Sequence, residues 1–187
     1  MIWEGDIDEY IELLRMADFI GADTENSGTV NLAELWNGTH YGTGISTAIR
    51  IDPSIVYSYY FPFRHESDNL GPEILARLRP ILETTELGFH NAPIDIATCE
   101  TFGITISIPP KDSIILAHFV NEEFPSKELE WLSKFVLKME HHKDKVKQWA
   151  AIWGYDTIPV KLMFPYACMD AEKQLYLTEV FWKDMEP

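Results

Sequence analysis

An apolar segment that ends in two carboxylates is the feature that most constrains how this chain can fold. In "ADFIGADTENSG", residues 17–28, core-forming residues lead directly to Asp23 and Glu25. In a β-strand, residues two positions apart point to the same face, so these like charges would repel each other unless a cation lay between them. A divalent metal would resolve the conflict. The alternative is that the strand ends at Ala22 and both acids are solvated in a turn, and the D-x-E spacing alone does not discriminate, because it occurs twice more in the chain.

Length and composition predict a single domain over residues 1–187. Of the 187 residues, 46% are hydrophobic, which is ordinary for one globular domain with a sizeable core. No basic region precedes an apolar run at the N-terminus, and no apolar run is as long as a membrane span, so we expect neither secretion nor membrane insertion but a cytoplasmic protein. Cys99 and Cys168 lie far apart without the spacing of zinc ligands, so we expect two reduced, buried thiols.

The formal net charge of -15 bears on the choice of partner. Nucleic-acid binders usually carry a basic stripe, so this charge by itself argues against a polyanionic partner. It is also consistent with a solvated acidic surface, or with carboxylates that hold divalent cations which in turn hold phosphate. The most basic stretch surrounds His141 and His142. We interpret it as a solvated helix face, with contact to backbone phosphate as the alternative.

Hydrophobic patterning predicts an α/β fold. β-Branched and aromatic residues predict strands over "MADFIGAD", "GISTAIRID" and "SIVYSYYFPF", the last two paired as an antiparallel ribbon, and a short strand over "ELGFHN". "GPEILARLRPILETTE" has a helical pattern, which we expect Pro80 to bend or to end early. From Pro93 onward helical patterns dominate, so we predict an N-terminal mixed sheet and a mainly helical C-terminal half.

Two later segments predict carboxylates on helices. In "GFHNAPIDIATCETFGI", Asn91 is a candidate N-cap and Asp95 would lie in the first helical turn, where it complements the helix dipole or serves a site at a strand end. In "YACMDAEKQLYL", Tyr166 and Asp170 are four residues apart and therefore lie on one helix face. Each segment alone also has an ordinary structural interpretation, as a complemented helix dipole or as a helix with its acids in solvent.

Together and in order, the three segments resemble the three motifs of the DEDD 3'-5' exonucleases. They are most similar to the proofreading domain of bacterial and phage family A (polymerase I type) DNA polymerases, and "YYFPFRHESDNLG" and "DSIILAHFVNEE" resemble the intervening stretches, so the resemblance covers essentially the whole chain. It implies a ribonuclease-H-like fold with a mixed β-sheet flanked by helices. It also implies metal ligands at Asp23, Glu25, Asp95 and Asp170.

The resemblance assigns Tyr166 to the tyrosine of the DEDDy subclass. The histidine subclass places its residue five positions before the last Asp, where this chain has Pro165. One departure is the Ala-Pro pair in "HNAPID", which stands where the family often has a bulkier or basic residue. The resemblance leaves open whether the chain works alone or as part of a polymerase.

The activity implied by the resemblance is that of a metal-dependent 3'-5' exonuclease that releases nucleoside 5'-monophosphates from single-stranded or frayed DNA 3' ends, in proofreading or DNA processing. Its cofactors would be two Mg²⁺ or Mn²⁺ ions, which hard oxygen ligands suit. Tyr166 would orient the attacking water, because an ordinary pKa of about 10 makes it a poor base. Asn91 and Thr24 would contact the substrate, and Phe89 and Phe102 would stack on bases or belong to the core.

The expected partners are a single-stranded DNA 3' end and, if the chain works in a larger assembly, a DNA polymerase domain or subunit, in a bacterial or phage-infected host cell. One alternative is a catalytically inactive exonuclease fold that binds DNA or braces a polymerase, although such a protein has no need of all four carboxylates. A second alternative is an exonuclease that prefers RNA. The sequence shows no evident partner other than a metal for the charge of the four acids.

Overall fold

The computed structural model describes residues 1–28, 31–139 and 144–185 and has a five-stranded sheet at its centre, in the order β3-β2-β1-β4-β5. The strands are β1 (Phe19–Asn26), β2 (Gly42–Asp52), β3 (Ile55–Pro62), β4 (Glu86–Phe89) and β5 (Lys111–Asp112). Strands β2 and β3 form the predicted antiparallel ribbon on one side of β1. On its other side, β4 and β5 run parallel to β1. The sheet is therefore mixed, as predicted.

The helices lie mostly after β4, which confirms the mainly helical C-terminal half. They are α1 (Ile7–Arg15), α2 (Leu32–Trp36), α3 (Pro72–Thr84), α4 (Ala92–Thr101), α5 (Ser113–Val120), α6 (Leu129–Phe135), α7 (Asp144–Trp153) and α8 (Val160–Met185), with a 3₁₀ turn at Tyr155–Thr157. Among the described residues, no helix combines the length and the apolar character needed to cross a bilayer.

Helix α8 packs directly on β1 because Gly21 has no side chain. A Cβ at this position would lie 2.6 Å from the backbone nitrogen of Leu175 and 2.8 Å from the carbonyl oxygen of Ala171. Residues 21, 23 and 25 alternate onto one face of the strand. Asp23 and Glu25 therefore point to the side of the sheet that α8 covers.

The main hydrophobic core lies on the other face of the sheet, between β1 and helices α1, α3 and α4. Ile20 and Ala22 point into this core, and the alternation of the strand places Thr24 on the same side. Phe89 and Phe102 also belong to it, with 1% and 3% of their surface exposed. Both phenylalanines are therefore core residues, which is the second of the two roles that the sequence left open.

Helix α3 continues through Pro80 to Thr84, so of the two predicted effects of Pro80, a bend or an early end, the early end does not occur. A proline inside a helix removes one backbone hydrogen bond. Three side chains of the helix, Leu78, Ile81 and Leu82, are buried in the main core. This packing offsets the missing bond, because tertiary burial supplies most of the stability of a helix in a protein.

Three elements were not predicted from the sequence: α1, α2 and β5. Helix α1 has a detectable signal, since the Asp6 side chain caps it by accepting from the Asp8 N–H at 2.7 Å and Tyr10, Ile11 and Leu14 recur at helical spacing. Helix α2 has five residues and β5 has two, so neither is long enough to show a helical or strand periodicity in the sequence.

Cys99 and Cys168 are free and buried, as expected. Burial raises the pKa of the Cys168 thiol to about 12, so this thiol stays protonated at neutral pH. The prediction of a solvated helix face around His141 and His142 concerns positions that lie outside the described residues.

Candidate active site

Strand β1 continues past Ala22 to Asn26, so the two acids of its C-terminal half do not lie in a turn. Asp23 pairs with Ser46 of β2, and Glu25 pairs with Gly44. Glu25 is buried and Asp23 is half-buried. The strand interpretation is therefore correct, and both carboxylates face the helix that carries Tyr166 and Asp170.

Asp95 is tied to β1 by two hydrogen bonds from Thr24. The Thr24 backbone N–H and hydroxyl donate to Asp95 Oδ1 at 3.0 Å and 2.8 Å. Strand β4 pairs with β1 only as far as Gly21 and Gly88, so the N–H of Thr24 faces the space where α4 begins. Because Thr24 follows Asp23 directly, these bonds hold Asp95 close to Asp23, whose charge acts on it. Both donors of Thr24 serve Asp95, and its predicted contact with substrate stays a prediction.

The electrostatic environment of Asp95 favours its neutral form. Burial raises the pKa of Asp95 well above the usual value, and the negative charges of Asp23 and Asp112 act in the same direction. The hydrogen bonds from Thr24 oppose this shift, because they favour the carboxylate. Asp95 therefore keeps its proton at a pH at which an ordinary aspartate is ionised, and a cation at this site would displace that proton.

Tyr166 meets the same acids from α8. Burial raises the pKa of its phenol, and the negative charges of Glu25, Asp170 and Asp23 raise it further. These charges act on the phenol because the tyrosine lies among the three carboxylates. Its hydroxyl keeps its proton and serves as a hydrogen-bond donor rather than as a base.

Asp170 has a buried cationic partner that sequence analysis missed. Lys173 Nζ donates to Asp170 Oδ1 at 2.7 Å, and the two side chains are 0% and 5% exposed. The expectation that the four acids lack any partner other than a metal is therefore wrong for Asp170. The signal was available in the i,i+3 spacing, which brings the two side chains together on one helix face.

Asn91 occupies the N-cap position of α4, but among the described residues its side chain makes no capping hydrogen bond. Its backbone is left-handed, with φ 70°, a conformation that asparagine tolerates. Asp112 accepts the hydrogen bonds instead, from the N–H groups of Asn91 at 3.2 Å and Ala92 at 2.9 Å, and from Ile114 at the start of α5 at 2.9 Å. One carboxylate thus serves two helix starts. Substrate contact by Asn91 stays a prediction.

A neutral Tyr60–His65 pair flanks the carboxylates. His65 Nδ1 lies 3.0 Å from the carbonyl oxygen of Ile158, which can only accept, so Nδ1 carries the proton and Nε2 accepts from the Tyr60 hydroxyl at 2.6 Å. Burial raises the pKa of Tyr60 well above its usual value, as do the charges of Glu25 and Asp23, and burial lowers the pKa of His65. This pair connects β3 to the segment that precedes α8.

The donor chemistry of the four carboxylates fits hard divalent cations such as Mg²⁺ and Mn²⁺. Within the described residues, however, no three His, Cys, Asp or Glu side chains already form a ready-made ligand set. Metal binding would therefore require Asp23, Glu25, Asp95 and Asp170 to turn toward a common point, which their mutual repulsion opposes until a cation arrives.

No protein-family model matches the chain, and no similar curated protein is found. Solved structures share its fold. The POL domain of Pol1 from M. smegmatis, in complex with DNA primer-template and dNTP, is similar with a TM-score of 0.65 and 14% identity over 97% of this chain and 26% of that chain. NrnC of Brucella melitensis with bound Mg²⁺ gives 0.62 and 15% over 91% of this chain and 75% of its own.

Escherichia coli RNase D, described as an exoribonuclease involved in structured RNA processing, gives a TM-score of 0.63 and 16% identity over 98% of this chain and 44% of that chain. This chain therefore spans about a quarter of the polymerase and less than half of RNase D. At such identities the likeness shows the fold, and it confirms the predicted ribonuclease-H-like α/β arrangement.

Proposed function

We propose that this protein is a metal-dependent 3'-5' exonuclease that releases nucleoside 5'-monophosphates from single-stranded or frayed DNA 3' ends, with a role in proofreading or DNA processing. The metal ligands would be Asp23, Glu25, Asp95 and Asp170. The observation that carries the proposal is that Asp23 and Glu25 on β1 face helix α8, which carries Tyr166 and Asp170. Asp95 is tied to the strand between the first two.

The contacts suggest a separate role for each side chain. Divalent cations held by the four carboxylates would activate water and stabilise the charge on the departing 3'-oxygen. Thr24 holds Asp95 in place through its two hydrogen bonds. Tyr166 retains its proton, because its pKa is raised, and its hydroxyl would donate a hydrogen bond that orients the attacking water.

The fold comparisons support a nuclease but leave the nucleic acid open. Among the similar structures, Pol1 is in complex with a DNA primer-template, NrnC is bound to pGG, and RNase D is an exoribonuclease involved in structured RNA processing. Our choice of DNA rests on the similarity of the three sequence motifs to polymerase proofreading domains. A polymerase domain or subunit remains part of the proposal as a partner.

The test is digestion of 5'-labelled single-stranded DNA and of an RNA of matched sequence, in Mg²⁺, in Mn²⁺ and in EDTA. We expect shortening from the 3' end in either metal, none in EDTA, and faster digestion of DNA. Asp23→Asn, purified in parallel, controls for contaminating nucleases. Product in EDTA would contradict the metal requirement, and faster digestion of RNA would contradict the substrate assignment.

One observation favours a second candidate, a catalytically inactive domain that binds DNA or braces a polymerase. Asp170 is already paired with Lys173, and the described carboxylates do not form a ready-made ligand set. The same assay separates the candidates, because an inactive domain would bind the labelled strand without shortening it in any metal.

A further inference from the structure

A groove outside the carboxylate cluster lies between α7 and the start of α8. Its volume is about 710 Å³, and its lining includes Lys145, Trp149, Ile152, Trp153, Lys161 and Pro165. Ile152 and Trp153 are 70% and 65% exposed. Single exposed apolar residues are ordinary, but two adjacent large ones along a groove are typical of an interaction surface.

The aromatic wall of the groove is held in place by one hydroxyl. Trp149 Nε1 donates to Thr157 Oγ1 at 3.1 Å, and the same hydroxyl lies within donating distance of the carbonyl oxygens of Trp153, at 3.1 Å, and Gly154, at 3.0 Å. These bonds fix the Trp149 ring and the turn that follows α7. The groove therefore offers a preorganised aromatic surface, which reduces the entropy lost when a ligand binds.

The charge of the groove is opposite to that of the protein. The chain has 30 acidic and 15 basic residues, yet none of the described lining residues is an Asp or a Glu. Lys145 and Lys161 are exposed, and neither forms an ion pair with a described carboxylate, whereas Lys147 pairs with Glu130 at 3.2 Å. Positive charge beside an exposed aromatic ring is the combination that single-stranded nucleic acids bind.

The groove adjoins the hydrophobic cluster against which Tyr166 packs. Pro165 in its wall is followed in the chain by Tyr166. Trp149, Tyr155 and Tyr166 pack against the same hydrophobic cluster. The groove is therefore near enough to Tyr166 to receive nucleotides that precede a 3' end placed there.

We propose that this groove binds single-stranded nucleic acid on the 5' side of the terminal nucleotide, with a base stacked on Trp153 and phosphates paired with Lys145 and Lys161. The orientation of the strand rests on the proposed function, whereas binding itself requires no catalysis. Local positive charge of this kind also explains how a chain with a net charge of -15 holds a polyanion.

The first test is the binding of fluorescein-labelled octathymidylate, followed by anisotropy in EDTA and in Ca²⁺. Trp153→Ala should weaken binding about tenfold, and Trp153→Phe should retain most of it, because any aromatic ring stacks on a base. Trp182→Ala is the matched control. Trp182 is 43% exposed with Lys111 Nζ 4.0 Å from its ring centroid, and it lies on α8 about 18 Å beyond Asp170.

The lysines have a separate signature in the salt dependence. Lys145→Gln and Lys161→Gln should each reduce the slope of log K against log salt by about 0.7, the value of one phosphate contact with a single strand. Lys183→Gln, also exposed and at the far end of α8, should leave the slope unchanged. No binding by the wild type, no effect of Trp153→Ala, or an equal effect of the Trp182 and Lys183 controls would overturn the proposal.

Kinetics separate this proposal from the proposed function. In single-turnover digestion, Trp153→Ala should raise the half-saturating concentration of octathymidylate but not that of dithymidylate, which is too short to extend along α7. A wild-type protein that binds octathymidylate through Trp153 but digests nothing would contradict the proposed exonuclease activity and support the proposed binding groove. If Trp153→Ala digests both oligonucleotides as the wild type does, the result would contradict the proposed binding groove and support the exonuclease activity.

Discussion

Lys173 Nζ lies 2.7 Å from Asp170 Oδ1, and both side chains are buried. The two groups therefore form an ion pair inside the protein rather than at its surface. One carboxylate oxygen is thus held by the ammonium group. If Asp170 binds metal as proposed, this hydrogen bond would help to orient its carboxylate.

Removal of this ammonium should destabilise the fold. Lys173→Met leaves Asp170 as a buried charge without its Lys173 partner, so the free energy of unfolding should fall by about 3–5 kcal/mol. The double variant Lys173→Met, Asp170→Asn should recover much of this loss. Urea denaturation in EDTA measures all three proteins, with Lys183→Met as the exposed control. Wild-type stability in Lys173→Met would show that the pair has no structural role.

Loss of one hydroxyl at Tyr166 should slow catalysis without loss of metal. Tyr166→Phe keeps the ring and its packing, so the single-turnover rate should fall by about 10²–10³, the cost of removing a hydrogen-bond donor aimed at a reacting oxygen. Asp23→Ala should instead lower the rate by several orders of magnitude and weaken Mn²⁺ binding. Tyr155→Phe controls for a neighbouring phenol. A Tyr166→Phe enzyme with the wild-type rate would remove Tyr166 from the proposed site.

Metal binding should release a proton from Asp95. The pKa of Asp95 is raised by burial and by the charge of Asp23, so a cation must displace a proton that the metal-free protein retains. The affinity for Mn²⁺ should therefore rise with pH. Calorimetry in two buffers of different ionisation enthalpy measures the released proton. A Mn²⁺ affinity that does not change with pH would contradict this coupling.

The same shift predicts how the stability of the metal-free protein depends on pH. Since the folded-state pKa of Asp95 lies above its unfolded value, the stabilisation is complete at acid pH and is lost as pH rises through the folded-state pKa. Asp95→Asn, neutral at every pH, should lose this dependence and exceed the wild type in melting temperature in EDTA at alkaline pH. Equal melting temperatures there would count against a protonated Asp95.

His65 should produce the opposite dependence. Burial lowers its pKa in the folded state, so its stabilising contribution is present above the unfolded value of about 6.5 and is lost as pH falls through the lower folded-state pKa. Protonation would also remove the acceptor of the Tyr60 hydroxyl. Thermal melts across this range should show a decline in the wild type that is weaker in His65→Gln and unchanged in His118→Gln, whose side chain is exposed.

Local periodicity predicted the parts of the fold and site that depend on a single element. Strand alternation places Asp23 and Glu25 on one face, and the i,i+4 spacing places Tyr166 and Asp170 on one side of α8. Contacts between distant segments were not predictable in this way. Asp112 accepts hydrogen bonds from backbone N–H groups at two helix starts, at positions 91–92 and at position 114. The contact with positions 91–92 joins segments about 20 residues apart, so no local sequence pattern predicts it.

The burial of Lys173 illustrates the same limit. Its sequence neighbourhood predicts a charge that is paired or solvated, and only the packing of α8 against the sheet decides that the ammonium is fully enclosed. Pro80 is the converse case, since its local rule predicts a break that the packing of α3 overrides. Local rules therefore fail here where tertiary burial supplies the larger free energy.

The missing side chain at Gly21 sets the width of the proposed catalytic centre. Two of its four acids belong to β1, Asp95 belongs to α4, and Asp170 and the tyrosine belong to α8, so the gap between the β1 acids and the α8 groups equals the separation of strand and helix. At Gly21 that separation leaves no room even for a methyl group, whose carbon would lie 2.6 Å from Leu175. The spacing of the reactive groups is thus determined by a residue that takes no part in the chemistry. Replacing Gly21 by a larger residue would push β1 and α8 apart and widen the centre, although every reactive side chain would still be present.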